Sequence, residues 1–155
     1  MALKEGDRIP DILGINQNGK EIKASDFAGK KLILYFYPKD STAGCTAEAC
    51  SFRDSYSTLI EKGYRVLGVS ADSEKSHVKF IEKQQLPFDL IADTGKTLAE
   101  HFGVWGEKSM YGRTYQGMFR TTFLVGEDGA IERIFRPKEI KTGTHAAQIL
   151  ASENR

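Results

Sequence analysis

Residues 31–38 read Lys-Leu-Ile-Leu-Tyr-Phe-Tyr-Pro, a continuous apolar run that stops at a proline. Such a run is a strand buried on both faces, at the centre of a sheet that helices cover. A helix follows it. Cys45, Ala49, Phe52, Tyr56, Leu59 and Ile60 recur on one helical face, which predicts a single helix from near Gly44 to Lys62. A buried strand that feeds a helix through a short loop restricts the chain to the α/β class.

The remaining segments fit that class. Ile12 to Lys23 reads as a hairpin closed by Asn18-Gly19. Tyr64 to Ala71 reads as a strand, and Asp72 or Ser73 can cap a helix that runs to about Gln85, before Pro87. Phe88 to Ala92 is a short strand, and Lys96 to Phe102 a short helix ended by Gly103. The stretch from Gly106 to Gly117, rich in Gly and Tyr, reads as a loop. Met118 to Val125 and Ala130 to Pro137 form an antiparallel pair around Asp128-Gly129, and a last helix includes Ala146 to Leu150. This order gives a mixed central sheet flanked by helices, a thioredoxin-like arrangement with an N-terminal β-hairpin. With no repeat or linker, residues 1–155 are expected to form one domain.

Charge and composition exclude several functions. Twenty-two basic against 21 acidic residues leave a net charge of +1, too little to draw the chain to nucleic acid or an anionic membrane. Basic residues are scattered, and Arg136 to Lys141 is interrupted by Pro137 and Glu139. The apolar runs are strand-sized, so none spans a bilayer. The opening Met1-Ala-Leu-Lys-Glu-Gly does not resemble a signal peptide, and a cytoplasmic location is expected. Two cysteines are too few for a disulfide scaffold. In a cytosolic chain, a disulfide between them would be transient and catalytic.

Those cysteines stand in Pro38-Lys-Asp-Ser-Thr42-Ala-Gly-Cys45-Thr-Ala-Glu-Ala-Cys50. The strand delivers Cys45 to the first turn of a helix, where free N–H groups and the helix dipole favour a thiolate. Thr42 stands at the N-cap, its hydroxyl in reach of the amide or thiol three residues on. Gly44 lets the backbone approach a small ligand closely. The plain alternative for Cys45 is an inert, buried core residue. Cys50 follows five residues later, roughly 8 to 9 Å away between Cα atoms on a regular helix, beyond the ~7 Å reach of an unforced disulfide. Either the two never bond, or oxidation unwinds the first helical turns and lets a sulfenic acid at Cys45 condense with Cys50.

The run Pro38-x-x-x-Thr42-x-x-Cys45 resembles the peroxiredoxin active-site pattern. Cys50, five residues on, resembles the peroxiredoxin Q, or bacterioferritin comigratory protein, subgroup. Ser70-Ala-Asp-Ser, Leu86-Pro-Phe and Arg120-Thr-Thr-Phe-Leu-Val look like the same family in the same order, so the resemblance covers nearly the whole chain. It implies a thiol peroxidase that reduces hydrogen peroxide or alkyl hydroperoxides. In that reading Cys45 attacks the peroxide and Cys50 resolves the product as an intramolecular disulfide. Thr42 hydrogen-bonds the peroxide, Pro38 shields the pocket, and Arg120 places its guanidinium beside the cysteine, where it favours the thiolate. Arg113 and Arg53 are lesser candidates for that task. Glu48 is a candidate to orient the arginine, although its own charge opposes a thiolate. Thioredoxin or a similar dithiol restores the enzyme, no cofactor is needed, and a monomer suffices, with a dimer not excluded. The subgroup commonly carries proline where this chain has Ala43, which points to an easily unwound first turn and resistance to overoxidation.

Two rival functions remain at this stage. A disulfide reductase would use Cys-x-x-Cys rather than this wider spacing. A non-enzymatic redox sensor would consume peroxide stoichiometrically. His77, His101 and His145 are scattered, do not form zinc-ligand spacing with the cysteines, and the first two are expected on partly exposed helix faces. Trp105, Tyr111 and Tyr115 either line a pocket or pack over a sheet edge.

Overall fold

A computed structural model describes residues 2–153. Its centre is a five-stranded mixed sheet. Strand β3 (Lys31–Phe36) lies parallel to β4 (Tyr64–Ser70), and β4 to β5 (Asp89–Ala92). On its other side β3 pairs antiparallel with β8 (Thr121–Val125), which pairs with β9 (Ile131–Phe135). The strand expected at the centre is there, and alternation along it divides the core. Leu32, Leu34 and Phe36 enter one cluster, Ile33, Tyr35 and Tyr37 the other.

Each cluster is closed by different elements. On the Tyr35 face lie α1 (Ala43–Asp54), α2 (Tyr56–Glu61), α3 (Glu74–Gln84) and α5 (His145–Ser152), through Phe52, Leu59, Phe80 and Ile149. The Leu34 face is closed by α4 (Thr97–Phe102) and by the hairpin β1 (Ile12–Ile15) and β2 (Glu21–Lys23), through Phe102, Leu13 and Ile22. This is the thioredoxin-like arrangement with its added N-terminal hairpin. Among the described residues no helix is long and apolar enough to cross a membrane.

Three expectations are corrected. The helix over Gly44 to Lys62 is two helices, broken at Ser55, whose amide reaches back 3.3 Å to the Ser51 carbonyl and is shared with that of Arg53. Asp54 and Ser55 are weak helix formers, and the apolar period carries through the break because Tyr56 still packs on Phe88. The loop over Gly106 to Gly117 is a two-stranded ribbon, β6 (Trp105–Met110) and β7 (Arg113–Met118), turned at Tyr111-Gly112 with φ of 52° and 77°. Consecutive left-handed residues make a hairpin turn whose twist matches the strands. Most of the ribbon is exposed, so alternation that normally betrays a strand is absent. Met118 therefore ends β7, and β8 begins only at Thr121.

Gly68 of β4 faces the Tyr35 ring. A Cβ there would stand 2.6 Å from Leu90 Cδ2 and 2.9 Å from Tyr35 Cζ, with no room to yield between two buried side chains. Gly68→Ala should lower unfolding free energy by about 1–3 kcal/mol, the usual cost of overpacking. Urea denaturation measures it, and an unchanged midpoint would show that the sheet face relaxes.

Candidate active site

The loop from Pro38 to Thr42 carries the chain from the end of β3 to α1. Thr42 occupies the N-cap position in extended conformation, but its hydroxyl donates to the Lys39 carbonyl at 2.8 Å instead of capping the helix. That corrects the expected reach toward position 45. The hydroxyl ties the loop to itself, and the amides of the first turn keep no side-chain cap. Cys45, Glu48, Ala49 and Phe52 form the buried face of α1. Cys45 is only 1% exposed, beneath the exposed residues Ser41, Thr42 and Ala43.

Arg120 arrives from the link between the ribbon and β8. Its Nη2 lies 3.3 Å from Cys45 Sγ and its Nη1 donates to Glu48 Oε1 at 2.6 Å. Gly44 makes room, since a Cβ there would stand 3.2 Å from Arg120 Nη2. Burial works against the Arg120 charge, and Glu48 followed by Cys45 more than offsets it. Glu48 is fully buried. Burial pushes its carboxyl up to about 7, while the charge and hydrogen bond of Arg120 pull the other way. Its second oxygen, Oε2, has no hydrogen-bond partner.

His145 stands 4.0 Å from that oxygen and does not pair with it. Burial pushes the imidazole down to about 4, with Gln148 opposing and Arg120 adding to the effect, so it is neutral. Gln148 Nε2 donates to the Glu139 carbonyl, which leaves Gln148 Oε1 to accept from His145 Nδ1–H at 2.9 Å. His145 Nε2 is then an acceptor and takes the Thr122 hydroxyl proton at 2.9 Å. The sequence offered no sign of His145 or Thr122 here, because only tertiary packing brings α5 and β8 to α1.

The other candidates lie elsewhere. Cys50 is partly exposed on the same unbroken helix, its Sγ 3.6 Å from Gln84 Oε1, and both cysteines are free. Arg53 bonds Asp54 and the Gln84 carbonyl, and Arg113 opens β7 at the ribbon's exposed tip. Trp105 packs against the core, whereas Tyr111 is 97% exposed and lines nothing. His101 is exposed, but His77 is fully buried, which corrects its expected placement on a partly exposed helix face. Among the described residues no three His, Cys, Asp or Glu side chains gather as metal ligands would.

A buried thiol under a guanidinium, at the first turn of a helix, is a site for nucleophilic sulfur chemistry. The sequence profile of the AhpC/TSA family matches residues 6–134. The chain belongs to that family. It is 48% identical over 139 residues to the putative peroxiredoxin bcp of Haemophilus influenzae, covering 90% of each chain. It is 43% identical over 150 residues to peroxiredoxin Bcp of Bacillus subtilis, covering 97% of this chain and 94% of that one. Among solved structures, the bacterioferritin comigratory protein of Xanthomonas campestris superposes with a TM-score of 0.83 at 34% identity, covering 96% of this chain and 98% of the other. This AhpC/TSA protein is thus a peroxiredoxin of the Bcp and PrxQ type, a thiol peroxidase with peroxide substrates and a thioredoxin-type reductant.

Glu48 gives the site a pH signature. Its folded-state carboxyl sits above the usual carboxylate range, so the folded protein holds a proton there that the unfolded chain has lost. Stability should therefore fall as pH rises from about 4.5 to about 7 and then level off, with this group adding a slope of at most about 1.4 kcal/mol per pH unit. Glu48→Gln should remove that component, as read by denaturation across the range. An identical pH profile in the variant would mean that Glu48 titrates normally.

Proposed function

We propose that the Cys45 thiolate attacks one peroxide oxygen, breaks the O–O bond, and becomes a sulfenic acid while the second oxygen leaves as water or alcohol after taking a proton. The observation that carries this assignment is the Arg120 guanidinium 3.3 Å from Cys45 Sγ. Its remaining N–H donors and the uncapped amides of α1 can hold the oxygen that gains charge as the bond breaks. In this reading Thr42 hydrogen-bonds the peroxide, Pro38 shields the pocket, and Gly44 leaves room beside Arg120. Glu48 orients Arg120 and, by sharing its charge, limits how strongly the guanidinium holds sulfur.

Cys50 resolves the sulfenic acid. Its thiol condenses with Cys45–SOH, one water leaves, and a disulfide forms. Because both cysteines lie on intact α1, that step requires its first turns to unwind. A thioredoxin-type dithiol then reduces the disulfide by exchange. Residues 1–155 act as one domain, and because both sulfurs belong to one chain the cycle runs in a cytoplasmic monomer. The Xanthomonas relative was studied for alkyl peroxide reduction. By likeness, we assign this chain organic hydroperoxides as well as hydrogen peroxide.

Peroxide consumption coupled to thioredoxin, thioredoxin reductase and NADPH tests these roles. Cys45→Ser should abolish turnover, and Cys50→Ser should complete one turnover and stall. Arg120→Lys, which keeps the charge and loses the fork, should slow Cys45 oxidation by about a hundredfold. Full thioredoxin-linked turnover by Cys50→Ser would remove its resolving role.

A further inference from the structure

A second buried polar cluster is anchored on the same loop, at Asp40. Asp40, 6% exposed, sits between Pro38 and Thr42. Its carboxylate accepts the Tyr37 hydroxyl at 2.5 Å on one oxygen. The other oxygen is bonded to the Ser76 hydroxyl at 2.8 Å and to His77 Nδ1 at 2.7 Å. The Asp40 amide donates to Asp72 Oδ2, which also takes the Ser70 hydroxyl. His77 is wholly buried, and its Nε2 lies 2.9 Å from the Ile91 carbonyl.

The protons can be placed by elimination. A carbonyl only accepts, so His77 Nε2 carries a hydrogen. A proton also lies between Nδ1 and Asp40 Oδ2, because two bare acceptors would not approach to 2.7 Å. His77 is therefore tied at both ring nitrogens, to β5 on one side and to the active-site loop on the other. One residue beyond Asp40, Ser41 adopts the left-handed conformation with φ of 64°. A non-glycine residue is held there only where its surroundings determine it. The Asp40 bonds supply that constraint on one side and the Thr42 hydroxyl on Lys39 supplies it on the other.

We propose that His77 is a positioning residue for the peroxidase reaction: through Asp40 it fixes the Pro38–Thr42 loop that faces peroxide. The proposal rests on the assignment of Cys45 as the attacking cysteine. His77 touches neither Cys45 nor Arg120, and its effect travels through one carboxylate. The clamp also lies upstream of the turns that unwind. It stays bonded while α1 opens and gives the helix a fixed start on which to re-form.

The test uses the full chain and three readouts: the second-order rate of Cys45 oxidation by hydrogen peroxide, the rate of disulfide formation, and the melting temperature. Wild type must first show a rapid oxidation that Cys45→Ser lacks. If it does not, the assignment of Cys45 fails, and that is visible before any His77 variant is made. Given that control, His77→Leu should slow oxidation by about tenfold or more in protein that is still folded, since small misplacements carry large rate penalties. Disulfide formation should change by less than about threefold, because the turns that unwind lie beyond the clamp, which stays bonded throughout. His77→Asn can present an N–H donor to Asp40 and should recover oxidation to within about threefold of wild type even if it melts earlier. Asp40→Asn, near in shape to the native residue, should reproduce the slow oxidation if His77→Leu does not fold. Folded His77→Leu or Asp40→Asn oxidising within about twofold of wild type would overturn the proposal. So would equal slowing in His77→Leu and His77→Asn.

Discussion

A guanidinium pinned between a buried sulfur and a buried carboxylate organises this molecule's chemistry. Arg120 is held in place by Glu48 at 2.6 Å and presents its other arm to Cys45 at 3.3 Å. The planar fork makes both contacts at once, one from each terminal nitrogen. Everything nearby serves that geometry. The ribbon β6–β7 ends where it must to launch Arg120, Gly44 clears the approach, and α5 seals the far side of Glu48 with a neutral imidazole. The cost is visible in Glu48, whose second oxygen is buried without a partner.

The second constraint is covalent geometry. Both cysteines belong to the same continuous helix, and in that helix their sulfurs cannot meet. Glu48 lies between them in the chain. In the proposed cycle, unwinding that joins Cys45 to Cys50 also lifts Glu48 from its buried position, so the Arg120–Glu48 pair belongs to the reduced state and the disulfide to another. In the proposed cycle, attack needs the helix intact and resolution needs it open.

Much of this was legible in the residues. The apolar run into Pro38 located β3, and the helix over Cys45 followed from its buried face, although the break at Ser55 is invisible to a period that passes through it. The ribbon is not legible in the residues because a solvated two-stranded element has no buried side to mark it. Cys45, Cys50 and Arg120 stand out through the family resemblance, and the structure brings Arg120 to Cys45 but keeps Cys50 apart. Thr42 was expected to cap α1 and turns to Lys39 instead, a choice between two nearby acceptors and donors that no spacing rule decides. His77 was placed on a partly exposed face because a polar residue on an amphipathic helix ordinarily faces water. Its partners Asp40 and Ile91 come from other segments and cannot be read from α3 alone.

The central claim is that resolution passes through an unwound α1. Segment-resolved amide hydrogen exchange on the reduced and peroxide-oxidised protein tests it most directly. The account predicts that oxidation strips protection from the amides of residues 46–50 while those of β3, β4 and β8 keep theirs. A Cys45–Cys50 disulfide, verified by mass, with helix protection unchanged would contradict it.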